Sequence, residues 1–145
     1  MTMIQTKTKI VIKDNSDFLK ANCINSNRRG GAKVGSCVKV SIFKMKSGSS
    51  VSSSLKNAPE NTKQRLQSVL VVQTRAPILR ADGSSLHFNF NSGVSIPLKK
   101  TGIKKQHQLG FKRINTAVPF ELKNKVFMEK LKGVSNVIKL AKHLL

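Results

Sequence analysis

Residues 69–96 read VLVVQTRAPILRADGSSLHFNFNSGVSI, and this stretch decides the fold. It opens at 69–72 with an uninterrupted apolar run rich in β-branched residues, which is typical of a strand buried on both faces. Asp82-Gly83 is a tight-turn pair, because glycine reaches positive φ without steric cost. Apolar and polar residues then alternate over 86–90, which predicts a second strand with one apolar face. The stretch therefore predicts two strands joined by a basic loop that is held out into solvent.

Three further segments carry strand patterns. Apolar and β-branched residues alternate with polar ones over 3–12 and again over 37–43, and a weaker strand is predicted over 18–24. Asp14-Asn15-Ser16 separates the strand predicted over 3–12 from the one predicted over 18–24, because these side chains hydrogen-bond to their own backbone and favour turns. With 145 residues the chain has the length of a single, mainly β domain.

The charge is the most unusual property of the composition. Lys and Arg total 27 against 6 acidic residues, which gives a net charge of +21. A chain with this charge needs a polyanion to neutralise it, and nucleic acid is the first candidate, with an anionic membrane surface second. The basic residues are spread along the whole chain instead of one amphipathic helix, and this spread favours folded RNA over a membrane.

Other classes of function find little support. No window approaches the roughly 18 apolar residues of a spanning helix, and the first residues lack a signal-peptide pattern, so we expect neither a membrane protein nor a secreted one. Cys23 and Cys37 lack C-x-x-C spacing and are interpreted as reduced thiols. The three histidines are too dispersed for a metal site, and no catalytic motif or cofactor motif is present. We expect no enzyme activity, no metal and no cofactor.

Two segments differ from the strand-rich remainder. Residues 47–64 are rich in serine and poor in apolar residues, which predicts a flexible loop. From Pro119 onward, apolar residues recur at helical spacing as far as Ala141. We therefore expect one domain over 1–145, with a barrel over 1–118 and a helical segment over 119–145.

Basic loops supply the candidate RNA contacts. Residues 28–33 place arginines beside Gly30-Gly31, which fits a phosphate clamp or, equally on sequence alone, a solvated hairpin tip. Residues 97–108 carry two Lys-Lys pairs around a Thr-Gly turn. Lysines are expected to neutralise phosphates and arginines to make bidentate contacts. The candidate residues are Arg28, Arg29, Lys33, Arg75, Arg80, Lys99, Lys100, Lys104, Lys105, Lys112 and Arg113.

Two blocks of sequence resemble one known family. The order of the apolar run 69–72, Asp82-Gly83, Phe88, Asn91 and Val94 is similar to the universal large-subunit ribosomal protein L-fourteen family. A second block, 110–122, resembles the family's closing segment through Gly110, Arg113, Ile114, Val118, Glu121 and Leu122. Ser95 departs from the family, which prefers an aliphatic residue there, and is expected to loosen the barrel packing at that point.

The resemblance implies a fold and a function. The fold is a small five-stranded β-barrel, similar to the oligonucleotide-binding barrel, with short C-terminal α-helices. The function is that of a structural constituent of the large ribosomal subunit, bound to its rRNA near the subunit interface and contributing to an intersubunit bridge during translation. The implied partners are small-subunit rRNA, neighbouring ribosomal proteins and a ribosome-silencing factor, with no membrane and no homo-oligomer.

A second function and several compartments stay open. A free-standing regulatory module on an oligonucleotide-binding barrel would require stacking aromatic residues on an exposed strand face. We expect the phenylalanines to lie in the core instead. The excess of lysine over arginine and the abundant asparagine and isoleucine favour a protein encoded and used in the mitochondrion. A bacterial or plastid ribosome is the alternative.

Overall fold

The computed structural model describes residues 3–16, 18–26, 30–46, 66–96, 113–122 and 138–145. A 3₁₀ turn, Phe120–Leu122, follows the eighth strand. The serine-rich loop predicted at 47–64 and the basic loop predicted at 97–108 lie outside the described residues. The strands are, in chain order, β1 (Lys9–Ile12), β2 (Phe18–Asn25), β3 (Cys37–Met45), β4 (Leu66–Gln73), β5 (Ile78–Leu79), β6 (Ser85–Leu86), β7 (Ser92–Ile96), β8 (Ile114–Val118) and β9 (Ala141–Leu144).

Five strands close into a barrel in the order β1-β2-β3-β4-β7. Four of the five pairings are antiparallel. The closing pair, β1 with β7, is parallel and places Val11 opposite Ser92 and Ile12 opposite Gly93. This barrel confirms the mainly β class and the five-stranded architecture that the sequence predicted.

Strand β4 is buried on both faces, as its apolar run predicted. Val69 and Val71 are fully buried in the interior of the barrel. Leu70 and Val72 are equally buried but belong to a second cluster on the other side of the strand. That second cluster contains Val34, Val94, Ile96, Ile114, Val118 and Leu122. Burial of both faces removes far more apolar surface from water than a half-solvated strand would, so β4 anchors both layers of the core.

Gly93 lies at a close approach between β7 and β4. A Cβ atom at this position would lie 2.2 Å from Val69 Cγ1 and 2.9 Å from the carbonyl oxygen of Leu70. Only a residue without a side chain fits between β7 and β4 here. The glycine is therefore a condition for closing the barrel.

The segment between β4 and β7 differs from its prediction in one respect. The turn at Asp82-Gly83 is confirmed, since Gly83 has φ +84° and joins β5 to β6. Strand β6 ends at Leu86, however, so the prediction of a strand through Phe90 was wrong. The reason is that the backbone groups of Phe88 and Asn89 bond to residues 74 and 75 and not to a neighbouring strand. Phe88 N–H donates to the Thr74 carbonyl at 3.2 Å, and the Asn89 carbonyl accepts from Arg75 Nε at 2.9 Å.

Strand β1 begins six residues later than the alternation over 3–12 predicted. A local turn interrupts the pattern, because Gln5 N–H donates to Thr8 Oγ1 at 3.1 Å and Lys7 takes a φ of 68°. Ile4 forms an isolated bridge with Ala32 instead of joining the barrel. Ile4 is therefore fully buried, although residues 3–8 do not form a continuous strand with the barrel.

The described ends of the carboxyl-terminal segment differ in part from the predicted helix. Phe120–Leu122 is a 3₁₀ turn, 138–140 are helical, and 123–137 lies outside the described residues. Ala141, expected on a helix, begins β9, which pairs in parallel with β8. The exposed edge of β8 provides backbone partners for this strand, and Leu145 N–H extends the pairing to the Val118 carbonyl at 2.9 Å. Among the described residues, no helix has the length and hydropathy that a membrane span requires.

Candidate nucleic-acid interface

Four of the eleven candidate RNA contacts lie in described segments: Lys33, Arg75, Arg80 and Arg113. The other seven, Arg28, Arg29, Lys99, Lys100, Lys104, Lys105 and Lys112, lie outside the described residues. The four described residues lie at separate positions along the chain. Each is held by a different loop or strand end around the barrel, and each has a different local environment.

Lys33 lies beside the loop that carries Arg75. It is exposed in a tight turn before β3, where Ser36 N–H donates to the Lys33 carbonyl at 3.0 Å. Lys33, Thr74 and residues 76–79 line a groove of about 340 Å³. The groove is apolar over most of its lining, with Val34, Pro77 and Ile78 among its residues, so the lysine supplies charge at its margin.

Arg75 is exposed, but the loop fixes the orientation of its side chain. Its Nε donates to the carbonyl of Asn89 at 2.9 Å, and its backbone N–H donates to Asn91 Oδ1 at 3.0 Å. One of the five guanidinium donors is used in the first of these bonds. A guanidinium oriented in this way loses less side-chain entropy when it binds a phosphate than a freely rotating one would.

Arg80 makes an intramolecular ion pair. Its Nε lies 2.5 Å from Glu121 Oε1, and its Nη2 donates to Glu121 Oε2 at 3.3 Å and to the Leu145 carbonyl at 3.1 Å. The hydrogen bond to Glu121 is the main reason that the pKa of Arg80 is raised above its ordinary value. The bidentate pair ties the β5–β6 hairpin to the 3₁₀ turn. Glu121, which was identified in the sequence only through the family resemblance, is therefore the ion-pair partner of Arg80.

Arg113 stands exposed immediately before β8. Its backbone carbonyl accepts a hydrogen bond from Asn15 N–H at 3.1 Å, and Asn115 N–H in turn donates to the Lys13 carbonyl at 3.0 Å. These bonds attach the beginning of β8 to the turn after β1. The position of Arg113 is thus fixed by the backbone, while its side chain faces solvent.

The described carboxylates are all engaged within the protein. Asp14 is buried and is bonded to Ser16 and Ser95. Asp82 accepts two hydrogen bonds from Ser84, and these bonds lower the pKa of the Asp82 carboxyl. Glu121 pairs with Arg80. In the part of the chain that the structure describes, the exposed lysines are therefore available to bind an external polyanion.

The structure also exposes residues that sequence reasoning placed in the core. Phe43, Phe90 and Phe120 are 51%, 58% and 42% exposed, so the expectation that the phenylalanines serve the core was wrong for these three. Among the described phenylalanines, Phe18 is partly buried against the interior cluster. The alternation in β3 could have identified Phe43. Lys39 and Ser41, four and two residues before it, face outward, and the residues between them are buried.

A closed five-stranded barrel with internally bonded carboxylates and a strongly basic composition places this chain in the class of small basic β-barrels. Residues 3–138 match the family described as Ribosomal protein L14p/L23e, and the chain belongs to this family. It is also similar to the Large ribosomal subunit protein uL14c of Helicosporidium sp. subsp. Simulium jonesii, with 27% identity over 146 residues that cover 99% of this chain and 100% of the relative. The chain is a structural protein of the large ribosomal subunit and not an enzyme.

Proposed function

We propose that this chain binds large-subunit rRNA near the face that meets the small subunit and contributes to an intersubunit bridge during translation. The observation that carries the proposal is the charge balance of the described surface. Its three carboxylates are bonded internally, while Lys33, Arg75 and Arg113 are exposed. Such a surface gains most of its binding free energy by releasing counterions from phosphates.

Different candidate residues support the proposal in different ways. Arg75 presents a loop-anchored guanidinium suited to a bidentate phosphate contact. Lys33 adds a point charge beside the groove, and Arg113 adds one at the start of β8. Arg80 contacts RNA in this proposal through donors not used by Glu121. The seven basic residues of 28–29, 99–105 and 112 complete the proposed set on the strength of their sequence alone.

The proposed partners extend to small-subunit rRNA across the interface, neighbouring large-subunit proteins and a ribosome-silencing factor. We place the protein in the mitochondrial matrix, on the ribosome of the organelle that encodes it. The lysine-, asparagine- and isoleucine-rich composition supports an AT-rich organelle genome. The relative bears the name of a plastid form, which supports an organelle and makes the plastid the first alternative, with the bacterial cytoplasm second.

The test is sedimentation of a lysate from native cells that express the tagged chain. We expect cofractionation with the large subunit and the monosome, retained at salt concentrations that remove non-specific binders. Migration at the top of the gradient would overturn the proposal and favour a free-standing module. Fractionating the same cells into mitochondria, plastids and cytosol before sedimentation decides the compartment.

A matched pair of variants tests the RNA contacts. Arg75→Gln removes a proposed phosphate contact, and we expect its affinity for large-subunit rRNA fragments to depend less on salt, with the logarithmic slope reduced by about 1. Lys142→Gln removes the same charge from an exposed position on β9 that is outside the proposed set. Equal effects of the two substitutions would show that net charge, and not the proposed contacts, governs binding.

A further inference from the structure

Phe43 continues the outward alternation of Lys39 and Ser41 on β3, and the strand contains an extra residue at this point, which brings Lys44 to the exposed side as well. Lys20 of β2 lies opposite Lys44, and the next residue, Ala21, lies opposite Ile42, so Phe43 has no partner across the ladder. This is a β-bulge, which turns a side chain away from its regular alternation. As a result Phe43 and Lys44 are consecutive and both exposed, directly after the buried Ile42.

A second bulge lies on the neighbouring strand, where Ile24 follows the buried Cys23 on the outward side. Cys23 of β2 lies opposite Val40 and Asn25 lies opposite Lys39, so Ile24 is the extra residue. Ile24 is 47% exposed. The β2–β3 ribbon therefore presents one aromatic and one aliphatic side chain to solvent, although both would bury apolar surface if they faced the barrel interior.

Cations surround these two apolar side chains. Lys20, Lys39 and Lys44 are exposed on the same two strands, and Lys9 follows on β1, opposite Asn22. Strands β1 to β4 contain no Asp or Glu. We call the surface formed by Lys20, Ile24, Lys39, Phe43 and Lys44 the β2–β3 platform. None of its residues belongs to the RNA contacts proposed above.

We propose that the β2–β3 platform binds an unpaired RNA nucleotide, with the base stacked on the Phe43 ring and the flanking phosphates on Lys20, Lys39 and Lys44. Charge complementarity selects RNA as the occupant, because a purely cationic surface around a flat aromatic ring matches a polymer that alternates phosphates with bases. Base stacking needs no particular base, so this contact would add affinity for single strands without reading sequence. The inference rests on the proposed function only in that both require RNA.

The test uses the full-length chain and two probes, a single-stranded oligoadenylate of about ten nucleotides and an RNA duplex of similar charge. The protein has no Trp and no Tyr, so Phe43→Trp introduces a single fluorophore at the platform. We expect its fluorescence to be quenched by the single strand and little changed by the duplex. Phe90→Trp is the matched control: Phe90 is 58% exposed, but its ring already faces Lys13 Nζ at 5.9 Å from the centroid.

Affinity measurements with Phe43→Leu give the second readout. Leucine keeps an apolar side chain but removes the ring, and we expect binding to the single strand to weaken by about 5- to 100-fold with an unchanged salt slope. Lys44→Gln should instead reduce the salt slope by about 1. Because Phe43 is exposed, both variants are expected to fold, and a urea unfolding curve of each verifies this.

The outcomes separate the platform from the proposed function. Unchanged single-strand affinity in Phe43→Leu, or equal quenching of Trp at 43 and 90, would overturn the platform even if the chain still sediments with the large subunit. Incorporation into the subunit that is lost in Phe43→Leu while RNA affinity is retained would identify the platform as a protein contact, which also overturns the inference. A chain that binds neither probe and sediments free would refute both proposals.

Discussion

The buried carboxylate of Asp14 accepts two hydrogen bonds from Ser95 of β7. Both go to Oδ2, from the backbone N–H at 2.8 Å and from Oγ at 2.5 Å. The other oxygen, Oδ1, accepts the Ser16 backbone N–H at 2.9 Å and the Ser16 hydroxyl. Asp14 is 2% exposed, so these bonds replace the water that a carboxylate would otherwise require. The serine expected to loosen the barrel instead joins the turn after β1 to β7.

Ser95→Ala should therefore destabilise the protein. It removes the hydroxyl donor from a buried carboxylate, and we expect the free energy of unfolding to fall by about 1.5–3 kcal/mol. Urea unfolding of the isolated chain measures this. Ser84→Ala is the control, since its hydroxyl donates at 2.6 Å to the exposed Asp82, where water can replace it. A loss as large for Ser84→Ala would contradict the argument from burial.

Gly93→Ala should be more damaging than a single methyl group suggests. Its Cβ would overlap Val69 Cγ1 and the Leu70 carbonyl oxygen, so β4 or β7 must shift. Overpacking of this kind costs about 1–3 kcal/mol or more, and thermal or urea unfolding records it. Gly30→Ala is the matched control, because a Cβ there meets no atom within 4 Å. Similar stabilities for the two variants would rule out a steric role for Gly93.

Removing the carboxylate of Glu121 should strengthen RNA binding. Glu121→Gln frees the Arg80 guanidinium from its ion pair, which makes more donors and more net charge available to phosphate. Titrations with an rRNA fragment at several salt concentrations measure the change. Asp82→Asn removes the same charge from the hairpin that carries Arg80 and leaves the Arg80–Glu121 ion pair in place. If both substitutions raise affinity equally, Arg80 is not a specific contact.

The two thiols should react slowly and in a fixed order. Burial raises the pKa of both Cys23 and Cys37, so the reactive thiolate is scarce near neutral pH and increases as the pH rises past the ordinary value. Cys23 is 2% exposed, whereas Cys37 is only partly buried. We therefore expect iodoacetamide to modify Cys37 first, with both rates rising between about pH 7.5 and 9.5.

Mass spectrometry over time follows this reaction. The Cys37→Ser variant should lose the faster phase and retain the slow one. A faster reaction at Cys23, or rates independent of pH, would contradict the order that burial predicts.

The residues of the barrel could be predicted from sequence because their patterns are local. The run 69–72 had to be buried on both faces, since four consecutive apolar residues leave a strand no polar side. Asp82-Gly83 had to turn, because few other pairs adopt positive φ so easily. Alternation likewise located β2 and β3, although not their ends.

Tertiary structure decided the features that depend on pairing between distant segments. The exposure of Lys44 directly beside Phe43 follows from a register shift between β2 and β3, and a register is a property of two strands together. Likewise, β9 is a strand because β8 offers it an edge, and helical spacing alone gave no sign of that partner. The sequence by itself determined the two-sided burial of the run 69–72, the turn at Asp82-Gly83 and the positive charge. Only the fold determined which of those charges and rings meet each other and which face solvent, because those contacts join residues far apart in the chain.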